Sequence, residues 1–150
     1  MKGNTTKFKI QILPSNHQIP NPKESGQEKI YDIRDRTFLF GKRILEIGDL
    51  LPKNNVGDIL KVQLLRSGTS IGANVEESDG SLTKRDFTNK LVLARKEAKE
   101  THYWLRLIAD KFVDEKRIFG DIQEAQEIIN ILSAIINKTK DSRKLKFRSI

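Results

Sequence analysis

The sequence predicts an all-α fold, an antiparallel up-down four-helix bundle, and three observations carry that prediction. Apolar or small residues recur at alternating spacings of four and three in successive segments, Asp, Pro and Gly punctuate the gaps between them, and a period-two pattern is confined to the first 30 residues. Helical segments joined by short connections place sequence neighbours side by side and antiparallel. A chain of 150 residues with 37% hydrophobic and 32% charged side chains has the apolar content for one core and the charge of a solvated globular surface.

In the first helical segment Ile33, Thr37, Phe40, Ile44, Ile47 and Leu51 form one seam. Asp32 suits its N-cap, with Asp35 three residues on, and Pro52 stops it. The second segment runs from about Val56 to Glu76, with Asp58 near its start and Ile59, Val62, Leu64, Leu65, Ile71 and Val75 as its apolar positions. The third keeps the rhythm longest, through Phe87, Leu91, Ala94, Ala98, Thr101, Leu105, Ile108 and Phe112. Gly120 then reads as a break and Asp121 as the opening of a fourth helix along Ile122, Ala125, Ile129, Leu132, Ile136 and Thr139. The expected organisation is an N-terminal arm over 1–30, a bundle over 31–140 and a basic C-terminal tail over 141–150.

The arm follows a different rule. Phe8, Ile10 and Ile12 alternate with Lys7, Lys9 and Gln11 before Pro14, Pro20 and Pro22, the pattern of a short extended segment. Such a strand has no mate inside a helical bundle, so it reads either as a mobile tail or as an arm that docks on a neighbouring subunit or partner.

Charge is unevenly placed. Residues 1–30 hold five lysines against two glutamates, residues 138–150 hold six basic side chains against Asp141, and 17 of each sign balance between them, so the whole +8 excess sits at the two ends. Basic ends on a neutral body suit polyanion binding and also plain solubility. Arg143, Lys144, Lys146 and Arg148 are the candidate phosphate-contacting residues at the C-terminus, and Arg85, Lys96, Lys99 and Arg106, with Arg95 beside them, form a stripe on the third helix. The alternative for the stripe is an ordinary solvated face.

Projection of the third helix at about 100° per residue sets Val92, Tyr103 and Leu107 roughly opposite its seam, with Leu93 and Trp104 on a flank. A bundle helix needs one apolar face, so this surplus marks a second buried surface, expected between copies of the chain, unless Trp104 lies at the edge of the core. The stretch leading from the second helix toward the third is rich in small residues: Ser67, Gly68, Ser70, Gly72 and Ala73 permit close helix approach. Ser70, Asn74 and Glu76 form a structural motif there that can bond to backbone near the helix end, a reading favoured over ligand binding.

An enzyme has little support. Only His17 and His102 are present, no Glu is followed by His at the third position, and neither a GxxxxGK[ST] nor a GxGxxG run occurs. Glu97 and Glu100 share a helical flank, where pairing with Lys90, Lys96 and Lys99 is the expected fate. No catalytic residue, metal site or cofactor is expected. The absence of cysteine suits a reducing compartment, and no apolar run approaches the roughly 20 residues of a membrane span, so a cytoplasmic location without membrane attachment is expected.

Three stretches carry a resemblance: Gln63–Glu77, Ser81–Phe87 and Ala94–Leu105, the last reading Ala-Arg-Lys-Glu-Ala-Lys-Glu-Thr-His-Tyr-Trp-Leu. They resemble the bacterial four-helix bundle proteins first named as ribosomal-RNA intervening-sequence proteins, over about Tyr31 to Lys140. The resemblance implies a homopentameric barrel. It also implies nucleic-acid association, because a distantly similar branch, the accessory protein of diversity-generating retroelements, binds nucleic acid and a reverse transcriptase. It implies no catalytic residues. Two functions follow as expectations: binding of RNA or single-stranded DNA through the basic ends and stripe, or service as a protein scaffold, such as an accessory subunit of a reverse transcriptase or other polymerase.

Overall fold

A computed structural model describes residues 32–148, with side chains through Asp141; the arm over 1–30 lies outside these residues. Four helices follow in order: α1 Ile33–Gly48, α2 Asn55–Asp79, α3 Lys84–Ile108 and α4 Glu115–Arg148. Each consecutive pair packs together, and α4 returns to α1 to close the bundle. Pairings run in opposite senses: Thr37 meets Gly72 while Gly48 meets Lys61 and Leu65, and Arg36 reaches Glu124 while Arg43 reaches Asp121. The arrangement is therefore antiparallel throughout.

Local chemistry starts each helix. The Asp32 carboxylate accepts the Arg34 N–H at 3.2 Å, the Asn54 side chain accepts the Gly57 N–H at 2.9 Å, and Thr83 Oγ1 accepts the Asp86 N–H at 3.0 Å. These bonds satisfy amide donors that a helix start leaves unpaired. The expected seams form the core. Phe40, Ile44 and Ile47 of α1, Leu64, Ile71 and Val75 of α2, Leu91, Ala94, Ala98, Leu105 and Ile108 of α3, and Ala125, Leu132 and Ile136 of α4 are buried.

The small-residue stretch belongs to α2, which continues unbroken to Asp79. A Cβ on Gly68 would sit 2.6 Å from Ile44 Cγ2, so only glycine lets α1 lie this close. Ser70 Oγ donates to the Arg66 carbonyl at 2.6 Å and Asn74 Nδ2 to the Ser70 carbonyl at 2.9 Å, both within the helix rather than at its end. Glu76 makes no such bond and is exposed. Of the apolar positions of this segment, Ile59 and Val62 are exposed, while Leu60 and Leu64 take the inward positions.

The third connection corrects the reading of Gly120 and Asp121. The helix α3 stops at Ile108, Asp110 adopts a positive φ of 59°, its N–H bonds the Val113 carbonyl at 2.8 Å, and the Asp114 carboxylate accepts the Lys116 N–H at 3.0 Å. Asp is among the few non-glycine residues that tolerate the left-handed region. Gly120 lies inside α4, held there by the buried Ile118 before it, at a propensity cost of about 1 kcal/mol relative to Ala. At its far end α4 runs to Arg148, so residues 141–148, read as a tail, continue the helix.

Candidate nucleic-acid interface

Two carboxylates from α4 are clamped by arginines from α1. The Arg36 guanidinium donates to both oxygens of Glu124 at 2.6 and 2.8 Å, and Arg43 Nε donates to Asp121 at 3.0 Å while its Nη1 reaches Glu46 at 2.8 Å. Asp121 is therefore no N-cap but a buried anion, its side chain 4% exposed. Burial pushes its carboxyl above the usual range, partly offset by the bonds from Arg43.

The seam between α2 and α3 is closed differently. Thr101 Oγ1 lies 2.9 Å from Ser67 Oγ and donates to the Glu97 carbonyl at 2.8 Å, both among buried side chains. Glu100 accepts from Arg66 at 2.5 Å and from the Trp104 indole at 3.3 Å, and Lys90 pairs with Glu77. Neither carboxylate of the Glu97 and Glu100 pair meets a lysine of its own helix as expected: Glu100 bonds Arg66 across the seam instead, and the Glu97 side chain makes no ion pair with the described residues. One Glu97 oxygen lies buried without a hydrogen-bond partner.

On the outer side of α3, Tyr103 is 54% exposed and Leu107 45% exposed. Val92 and Trp104 instead lean on the core as partly buried residues, with Tyr103 meeting Trp104 edge-on at 5.0 Å between ring centroids. The reading of Trp104 as a core-edge residue is the one the packing favours. Arg85, Lys96, Lys99 and Arg106 are exposed, and none makes an ion pair or side-chain hydrogen bond with the described residues. Arg95 leaves this set, since its guanidinium donates to Ser133 of α4 at 3.4 Å.

The four cations do not occupy a flank of their own. At about 100° per residue, Arg85, Val92, Lys96, Lys99, Tyr103, Arg106 and Leu107 fall within an arc of about 100°, so charge and exposed apolar surface interleave on one face. The remaining candidates, Arg143, Lys144, Lys146 and Arg148, stand on the last turns of α4, and their side chains lie outside the described residues.

A feature without a counterpart in the sequence reading lies where α3 meets the start of α4. His102, Arg106, Ala109, Glu115, Phe119 and Ile122 line a groove of about 360 Å³. Burial, and secondarily the charge of Arg106, lower the His102 pKa, which favours the neutral imidazole. The signal available in the sequence was Phe119, an aromatic beside the inward Ile118 and Ile122 but off their line.

Among the described residues no group of three or more His, Cys, Asp and Glu side chains could hold a metal ion, and no helix is long and apolar enough to cross a membrane. The fold and this outer surface define a class, an antiparallel four-helix bundle with a mixed basic and aromatic face on its third helix. Residues 29–134 match the family described as 23S rRNA-intervening sequence protein, and the chain belongs to that family. It is similar to a crystal structure from Bacteroides thetaiotaomicron VPI-5482, described as a protein with unknown function from the S23 ribosomal protein family. The two are 35% identical with a TM-score of 0.66, over 70% of this chain and 98% of that one. No curated protein matches the chain.

Proposed function

We propose that this protein is a non-enzymatic, cytoplasmic homo-oligomer that associates with RNA or single-stranded DNA through the basic α3 face and the basic end of α4. The observation that carries this reading is the set of four exposed cations on α3 that no carboxylate of the described residues neutralises. Arg34, Lys61, Arg66 and Lys90 are paired here, and Lys111 and Lys116 are not paired with any carboxylate of the described residues, so what sets the α3 four apart is their alignment on one helical arc. Unpaired cations on a line meet the phosphates of a strand, releasing its counterions. The family description, which names an rRNA insertion, supports the same partner class. Assembly as a pentamer would repeat the face around a ring; because Tyr103 and Leu107 share the arc of the four cations, the RNA reading requires the copies to meet elsewhere, as at the exposed Ile59 and Val62 of α2.

Fluorescence anisotropy with a labelled RNA at two salt concentrations tests the reading. The logarithm of affinity should fall against the logarithm of salt with a slope of about 0.7 per phosphate contacted. Changing Arg85, Lys96, Lys99 and Arg106 to Gln should flatten that slope by about three, four contacts at that value. A protein that binds no RNA at low salt refutes the proposal. Absence of binding would leave a second reading, favoured by the exposed Ile59, Val62, Tyr103 and Leu107: a scaffold for a protein partner of the polymerase type. Sedimentation equilibrium checks assembly, with a single species at the mass of one chain as the contrary result.

A further inference from the structure

The groove between α3 and α4 has a composition that the basic face lacks. Its floor is apolar, from Ala109 and Ile122, and one wall is Phe119, 51% exposed one turn into α4. Arg106 stands at its edge on α3 without a carboxylate partner, His102 lies one helical turn before it, and Glu115 closes the rim from the start of α4. At about 360 Å³ the space is at the small end of ligand sites, which run from roughly 300 to 1,000 Å³.

Resting on the nucleic-acid reading above, we propose that this groove is a base-binding subsite, in which one unpaired nucleobase of a single strand stacks on Phe119, presents an amino edge to Glu115 and places its phosphate on Arg106.

Each part of the site excludes a simpler ligand. A free phosphate or polyphosphate would bring negative charge against Glu115, whereas a base extends an uncharged ring past Arg106 and meets the carboxylate with an N–H donor. Bases offer a π face to an aromatic ring whatever their identity, so stacking gives affinity without strict sequence reading. The carboxylate adds a graded preference, because cytosine, adenine and guanine carry an exocyclic amine and uracil does not. Held toward its neutral form by burial and by Arg106, His102 takes the role of a polar edge rather than a further phosphate contact. The helix carries the strand onward, since Lys99 and Lys96 continue from Arg106 along the same face.

The test uses the full chain and three labelled probes of equal length in anisotropy: oligocytidine, oligouridine, and a sugar–phosphate chain without bases. The unaltered protein should bind oligocytidine best and the abasic chain least. Phe119→Leu should weaken binding of both base-bearing probes by about tenfold and leave the abasic chain unchanged, while Phe119→Trp restores the difference. Glu115→Gln should abolish the advantage of cytidine over uridine without loss of the uridine signal. Melting curves establish that Phe119→Leu remains folded, and the loss of the cytidine advantage in Glu115→Gln carries the test if it does not. If oligomer binding is intact but indifferent to Phe119, the groove proposal falls and the basic face stands. If no probe binds at low salt, both fall together.

Discussion

The bundle is closed by two seams of opposite character. Between α2 and α3 the chain uses small hydroxyls, Ser67 against Thr101, with the charged pairs Arg66–Glu100 and Lys90–Glu77 outside them. Between α1 and α4 it uses two arginine–carboxylate clamps whose acidic members are almost wholly buried. A neutral hydroxyl pair asks little of its surroundings when one member is lost. A buried carboxylate deprived of its arginine remains an uncompensated charge, and removing one partner of such a pair commonly costs about 3–5 kcal/mol. The same fold therefore has one forgiving edge and one that depends on complete pairing.

The largest expected effect breaks the clamp. Arg43→Ala should lower stability by about 3 kcal/mol near neutral pH, measured by urea unfolding. Asp121→Asn, which removes the charge along with its counterion's duty, should cost about 1 kcal/mol. The pH dependence sharpens the contrast. Because the Asp121 carboxyl is raised in the folded protein, its ionisation opposes folding at neutral pH, and that penalty is relieved as pH falls through the folded pKa. The deficit of Arg43→Ala against the unaltered protein should thus shrink between about pH 7 and about pH 4, and a deficit that grows instead would contradict the buried-anion account. Asp32 and Asp49 have the opposite sign. Their carboxyls are lowered, Asp32 by backbone and side-chain bonds from Arg34 and Asp49 by Lys61, so their support is present at neutral pH and lost on acidification.

The close approach of α1 to α2 gives the intermediate effect. Gly68→Ala should cost about 2 kcal/mol, since Ile44 Cγ2 at 2.6 Å and Cβ at 3.0 Å would have to move. The smallest effect has the other sign. Nothing lies within 4 Å of a Cβ built on Gly120, so Gly120→Ala should stabilise by about 0.5–1 kcal/mol in the same unfolding assay.

That glycine shows where the sequence could be read and where it could not. The seams of α1, α3 and α4 were legible because a 4,3 spacing places side chains on one face whatever the partner helix is, and Asp32 was legible as a cap because the bond it makes is local. Asp121 has the same residue type in a similar setting, but its partner Arg43 lies 78 positions away, and no local rule distinguishes a cap from half of an ion pair. The true break hid at Asp110, whose left-handed backbone carries no glycine to announce it. The outward placement of Ile59 and Val62 was not legible for a related reason, since an apolar residue on a helix is compatible with either face until the neighbouring helix chooses one. The α3–α4 groove draws His102 and Phe119 from different helices across a turn, and only packing brings them together.

The length of α4 also gives the molecule a direction. Its 34 residues extend about 51 Å against about 37 Å for the 25 of α3. Because neighbours are antiparallel, the C-terminal turns of α4 emerge at the pole where the chain enters α1 at Asp32. The two segments that hold the whole positive excess, preceding Asp32 and following Asn137, are therefore tethered at one pole, and the body between them is neutral. The excess charge of the sequence thus joins the neutral body at one end of the bundle rather than at both.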